Sequence, residues 1–194
     1  MPSPDALCDG RRVVLDSNVW IDILVFDDPA ARPIRAALET GAVTALIDAR
    51  CLGELERVLD YPQFKARAVD KAAALATVAR LTQHVAGPRD GGGSCAAATA
   101  GTAASGPNSA ASAADTQQPP PPDDAPPRPL PKCKDRDDQK FLELAYAARA
   151  GWLVSKDRAL LKLARRTERD FGFRIAPPES FAARALSAGA PEPA

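Results

Sequence analysis

The chain has 194 residues, 45% of them hydrophobic and 26% charged, the balance of one globular domain with a proper core. Its 25 basic and 25 acidic residues cancel, which excludes a global basic field of the kind that draws nucleic acid. Residues 1–10 carry Asp5 and Asp9 and lack an apolar stretch, so no signal peptide is expected, and no apolar run approaches a membrane span. Cys8, Cys51, Cys95 and Cys133 are scattered singly, and nothing clusters with the only histidine, His84. That pattern fits free thiols in a cytoplasmic setting and argues against structural zinc.

Residues 1–10 read as a flexible N-terminus and 12–15 as a short buried strand, Val13-Val14-Leu15 being β-rich and bounded by charge. A helix follows from near Asn18, carrying Trp20, Ile21, Ile23 and Leu24. A second spans 29–38, with Pro29 in its first turn and Gly41 as its stop. Val43-Thr44-Ala45-Leu46-Ile47 reads as the second strand. Asp48 is placed to cap the next helix, where Leu52, Leu55, Val58 and Leu59 recur at helical spacing and Pro62 lies just past the end. Residues 64–85 read as one more helix, rich in alanine.

Residues 87–131 hold 11 Ala, 10 Pro, 6 Gly, 4 Ser and 3 Thr, with Leu130 as their only large aliphatic residue. So little apolar surface cannot offset the entropy of ordering, and the segment reads as a disordered, low-complexity insertion. Beyond it comes a helix over 137–150, with Phe141, Leu144, Ala145 and Ala148 on one face and Gly151 closing it. A strand over 152–155, a helix over 158–166, a strand over 171–175 and a flexible tail over 182–194 complete the chain. Strands alternating with helices imply an α/β fold, a three-layer α/β/α sandwich around a mostly parallel sheet. It forms a single domain over 11–181, interrupted by the insertion.

Four carboxylates fall at the edges of these elements. Asp16 directly follows the first strand, where open α/β sheets place ligands. Glu54 lies in the first turns of the helix after the second strand, Asp138 opens a helix, and Asp157 follows the strand over 152–155. Asp16, Glu54 and Asp157 should meet at one sheet edge, whereas Asp138 follows no strand. Each has an ordinary explanation too: Asp138 (or Asp137) and Asp157 as helix caps, Glu54 as a solvated helix residue. Asp16 is hardest to explain by capping. Four carboxylates with no histidines or paired cysteines make a donor set for hard divalent cations, and a metal-dependent nuclease is the reading that follows.

The segment Val13-Val14-Leu15-Asp16-Ser17-Asn18-Val19-Trp20 resembles the opening motif of PIN domains. Cys51-Leu52-Gly53-Glu54-Leu55, with Val58-Leu59 and Tyr61-Pro62-Gln63-Phe64 after it, is similar to their second acidic motif. Asp135-Arg136-Asp137-Asp138-Gln139-Lys140-Phe141 resembles the third, and Gly151-Trp152-Leu153-Val154-Ser155-Lys156-Asp157 the fourth. The resemblance covers roughly 11–85 and 132–181 and implies a Mg²⁺- or Mn²⁺-dependent ribonuclease. Carried over residue by residue, Asp16, Glu54, Asp138 and Asp157 would hold the metal and carry catalysis. Asn18 would brace Asp16, Ser155 would lie beside the metal shell, and Asp135 would be an auxiliary acid. The closing segment Phe173-Arg174-Ile175-Ala176-Pro177-Pro178-Glu179-Ser180-Phe181 looks like the branch of toxin components of toxin–antitoxin systems, which implies an antitoxin protein as partner and a homodimer.

Grip on RNA has to come from local charge. Between Arg128 and Arg174 there are 13 Lys or Arg against 7 Asp or Glu. Lys156, Arg158, Lys162 and Arg165 are the candidates for RNA phosphates, against the plainer reading of a solvated helix face. The alternative to an enzyme is a non-catalytic PIN-fold module that binds RNA or protein.

Overall fold

The computed structural model describes residues 9–65, 67, 69–86 and 129–186. Most of the expected N-terminal arm (1–8), most of the insertion (87–128) and the end of the tail (187–194) lie outside the described residues.

Five strands form one all-parallel sheet in the order β3-β2-β1-β4-β5: β1 Asp9–Leu15, β2 Thr44–Ile47, β3 Thr82–His84, β4 Ala150–Val154 and β5 Arg174–Ala176. The central pair is apolar without alternation because both of its faces are covered. Val13, Val14, Leu153 and Val154 are fully buried, and every residue of β4 is buried. The edge strands are partly polar, and β3 is exposed along most of its length. β1 begins at Asp9, three residues ahead of expectation, and its pairing with β4 shifts register between Asp9 and Val13.

After β1 comes a short helix α1 (Ser17–Ile21), which runs straight into a π-helical turn over Asp22–Phe26. The second helix, α2, spans Arg32–Glu39 and starts three residues after Pro29. Gly41 follows its end in the left-handed region (φ +72°), the stop expected of a glycine there. Asp48 caps α3 (Ala49–Leu59) as expected: its side chain accepts from the Cys51 N–H at 2.8 Å.

The single helix expected over 64–85 is instead three elements: α4 (Pro62–Lys65), α5 (Lys71–Leu81) and strand β3. Asp70 caps α5 through the Ala73 N–H, and the Thr82 hydroxyl closes it on the Val78 carbonyl. Thr82 then turns extended and pairs with Ala45. Thr82-Gln83-His84 carries no apolar alternation because an edge strand with one neighbour needs none. Its strand state comes from β2 alone.

Beyond the insertion, α6 spans Gln139–Ala147 and packs against β1 and β4. Gly151, expected to close this helix, belongs to β4; the reversal is made by Arg149, which adopts φ +51°. The expected helix over 158–166 is split into α7 (Arg158–Leu161) and α8 (Ala164–Phe171), and Gly172 ends α8 at φ +77°. The last strand therefore starts at Arg174, not at Phe171. A short α9 (Pro178–Phe181) seats the fully buried Phe181 edge-on against Trp152, and the chain continues into a π-helical turn over Ala182–Leu186.

Candidate active site

In this strand order β1 lies between β2 and β4, so the chain leaves β1 toward one side of the sheet and returns through β4 on the other. A crevice opens at the carboxyl ends of such a pair. Asp16 occupies that point. It is 2% exposed, its N–H donates to the Val154 carbonyl at 3.0 Å, and its side chain makes no cap bond to α1. Capping therefore does not explain it. Burial raises its pKa above the ordinary value, and the charge of Glu54 adds to that rise. The Ser155 hydroxyl and the nearby amides of Asn18 and Ser17 pull the other way.

Ser155 joins two of the acids. Its hydroxyl donates to Asp16 Oδ2 at 2.7 Å and accepts from the Asp157 N–H at 2.9 Å. The Ser155 N–H itself is held by the Ala176 carbonyl of β5. Fully buried at the end of β4, Ser155 fixes the loop after β4 to the loop after β1. Asp157 also caps α7, its Oδ1 accepting from the Ala159 N–H at 2.5 Å and the Leu160 N–H at 3.3 Å. The ordinary reading of Asp157 is thus true as far as it goes.

Asp138 stands at the N-cap of α6 and makes no side-chain cap bond. Its pKa is pushed up to about 7, first by burial and then by the negative charges of Asp16, Asp157, Asp135 and Glu54. Asp138 therefore feels the other three proposed acids, and Asp16 feels Glu54, so Asp138 joins a group that strand pattern alone did not promise. Glu54 is not a solvated residue. Its carboxylate is paired with the Lys140 ammonium, both side chains being largely buried. Asp135 is exposed and turns its own loop, its Oδ1 accepting from the Asp137 N–H at 3.0 Å.

Three features were not legible in the sequence. Lys140 pairs with Glu54 across two helices, and also donates to the Asp137 carbonyl. The Cys133 thiol, free as expected, lies buried, with its pKa raised by that burial and by the charges of Asp138, Asp157 and Asp135. Arg50 holds Asp48 at 3.1 Å and Glu143 at 2.7 Å, tying the start of α3 to α6. A contact between residues nearly a hundred positions apart leaves no periodic signal. The shared motif of Asp138 and Lys140 is the one local hint.

Among the described residues no three Asp, Glu, His or Cys side chains stand ready as a ligating cluster. The donor chemistry nevertheless fits a hard divalent cation: the side chains are oxygen donors, and burial together with the charges of Asp16, Asp157, Asp135 and Glu54 raises the Asp138 pKa.

A family model described as the PIN domain matches residues 12–159. The chain belongs to the PIN domain family. PIN domains are generally nucleases, and the five-stranded parallel sheet with helices is their fold. Neither the curated proteins nor the solved structures compared with the chain include a match.

Of the basic residues expected to meet RNA, Lys156 is already engaged by Asp22 at 2.5 Å and Asp28 at 3.1 Å. Arg158, Lys162 and Arg165 are exposed on α7 and at the start of α8, near Asp157 in the chain. This PIN domain has no described helix long and apolar enough to cross a membrane.

Proposed function

We propose that this PIN domain is a Mg²⁺- or Mn²⁺-dependent ribonuclease, the toxin of a toxin–antitoxin pair. The observation that carries the nuclease reading is the Ser155 hydroxyl joining Asp16 to Asp157 at the ends of β1 and β4, with Asp138 under the charges of Asp16, Asp157 and Glu54. These four residues would hold the ion, which when bound supplies a Lewis acid for the phosphate and a water of lowered pKa. The protein's own part is to fix the donors. Ser155 holds one oxygen of Asp16 and the backbone of Asp157. Asn18 would brace Asp16, whose carboxylate is already eased by the Asn18 backbone N–H, and Asp135 would add negative charge beside Asp138. Arg158, Lys162 and Arg165 would meet RNA phosphates.

The toxin role rests on the closing segment around Pro177-Pro178-Glu179-Ser180-Phe181. It carries with it a cognate antitoxin, a homodimer and a cytoplasmic setting. The deciding experiment incubates the chain with labelled single-stranded and structured RNAs in Mn²⁺, Mg²⁺ or EDTA, beside Asp16→Asn and Asp138→Asn. Metal-dependent cleavage lost in both variants supports the nuclease. A non-catalytic RNA- or protein-binding module is favoured by one specific observation: Glu54 and Asp157 already have structural partners in Lys140 and the α7 amides. Absence of both cleavage and metal binding would overturn the enzymatic reading and favour that module.

A further inference from the structure

Lys140 is a cation held among the acids. Its ammonium is paired with Glu54 Oε2, donates to the Asp137 carbonyl and lies 5.1 Å from the centre of the Phe141 ring. The side chains of the pair are 13% and 19% exposed. A lysine on a solvated helix face has neither such contacts nor such burial. Lys140 is the second residue of α6, where the helix dipole presents positive charge and disfavours a cation. Glu54 offsets that cost. Among the described residues Glu54 Oε2 is buried and finds no other donor.

The pair belongs to the site as well as to the contact between α3 and α6. The negative charge of Glu54 acts on Asp16 and on Asp138, so whatever neutralises Glu54 is felt by both. The other acids are already part-used. Asp16 gives Oδ2 to the Ser155 hydroxyl, and Asp157 gives Oδ1 to the first amides of α7. Asp16 Oδ1, Asp157 Oδ2 and the Asp138 carboxylate, which makes no cap bond, are donors enough for one hard ion, since Mg²⁺ keeps several waters and takes few carboxylates. A second divalent ion needs donors of its own, and in two-metal sites the ions lie about 3.5–4 Å apart. Of the four acids Glu54 is the one left to supply them, and its Oε2 is given to the ammonium. A divalent ion brought to the same carboxylate would meet that ammonium at close range, where like charges repel strongly away from bulk water.

We infer that the Lys140 ammonium stands at Glu54 in place of a second divalent cation, so that the site takes one such ion and not two. A lysine ammonium is a compact point charge with three donors, which suits it to the position of a small cation. Glu54 then serves both charges, Oε2 the ammonium and Oε1 the single ion. The inference rests on the metal-dependent reading above and adds the number of ions and the residue that sets it.

The test counts ions. Mn²⁺ binding to the full, metal-free chain is measured by electron paramagnetic resonance, beside Lys140→Met, Lys140→Arg and Lys140→Met combined with Glu54→Gln. Thermal melts confirm that each form is folded, and Lys140→Gln replaces Lys140→Met if the latter does not fold. The parent should bind one Mn²⁺ with no spin–spin coupling. Lys140→Met should bind two, with the spectrum of a coupled pair, and Lys140→Arg should return the count to one. Adding Glu54→Gln to Lys140→Met should remove the second ion; an ion that survives it is bound elsewhere and overturns the inference. Two ions in the parent overturn it and leave metal dependence standing. One ion in both parent and Lys140→Met does the same, and makes the Lys140–Glu54 pair a purely structural tie between α3 and α6. A first ion that binds only once Lys140 is replaced also overturns it, the ammonium then keeping out the sole ion. No ion bound by any form removes the metal-dependent reading and the inference with it.

Discussion

Ser155 carries more of this site than its size suggests. With one hydroxyl it holds Asp16 Oδ2 and the Asp157 N–H, in a place without solvent. Ser155→Ala should cost about 1–3 kcal/mol, because a buried amide and a buried carboxylate each lose a partner. It also removes a bond that lowers the Asp16 pKa. The acid limb of the pH–rate profile for RNA cleavage should therefore move to higher pH in Ser155→Ala, with Ser155→Thr restoring it. Asp138 gives the second prediction at this scale. Its folded pKa of about 7 exceeds the ordinary 3.8, so deprotonation favours the unfolded chain. The stability it contributes is full below the unfolded value, declines as pH rises between the two, and is gone above the folded one. Asp138→Asn has no such decline, and without divalent cations it should be ~1–2 kcal/mol more stable than the parent at about pH 8, the full shift being reduced by solvent screening. Chemical denaturation at pH values on either side of the window measures this.

Among elements, the contacts that position the acids run between loops and helices distant in the chain. Arg50 links Asp48 at the cap of α3 to Glu143 on α6, and Lys140 links α6 back to Glu54 on α3. Together they hold two of the four acids on a pair of helices that pack on each other. Lys156 ties the loop after β4 to Asp22 in the π-helical turn and to Asp28 beyond it, burying most of the Asp22 side chain. Lys156→Ala leaves that carboxylate without its ammonium and should lower stability by about 1–2 kcal/mol. The salt slope of RNA binding should stay as it was, since the ammonium is already spoken for. A changed slope with unchanged stability would return Lys156 to the RNA surface.

For the whole molecule, the parallel sheet fixes a crevice, and the acids gathered there repel one another. A divalent cation held there would relieve that repulsion and bind the folded state alone, so on the proposed function Mn²⁺ or Mg²⁺ should raise the melting temperature. At a hundred times the dissociation constant the gain is about 2.7 kcal/mol. Asp16→Asn should abolish most of this shift, and the measurement needs no substrate. A shift of equal size in Asp16→Asn would place the ion elsewhere on the surface.

The sequence by itself determined the α/β class, the central strands and the place of Asp16 at the end of β1. Its apolar runs at Val13-Val14-Leu15 and Trp152-Leu153-Val154 can only be buried on both faces, and an acid directly after such a strand has to lie at the sheet's ligand edge. Asp48 as a cap and Gly41 as a stop were legible for the same reason: cap and stop are decided by residues a few positions apart. Tertiary structure alone made Thr82-Gln83-His84 a strand, since its hydrogen bonds come from β2. It alone brought Asp138 into the charge field of Asp16, Glu54 and Asp157, and set Lys140 on Glu54. It also moved the helix end expected of Gly151 to Arg149, because β4 needs Gly151 within the sheet. Local pattern reports which surfaces must be covered, whereas the covering group is chosen by contacts that the chain makes only when folded.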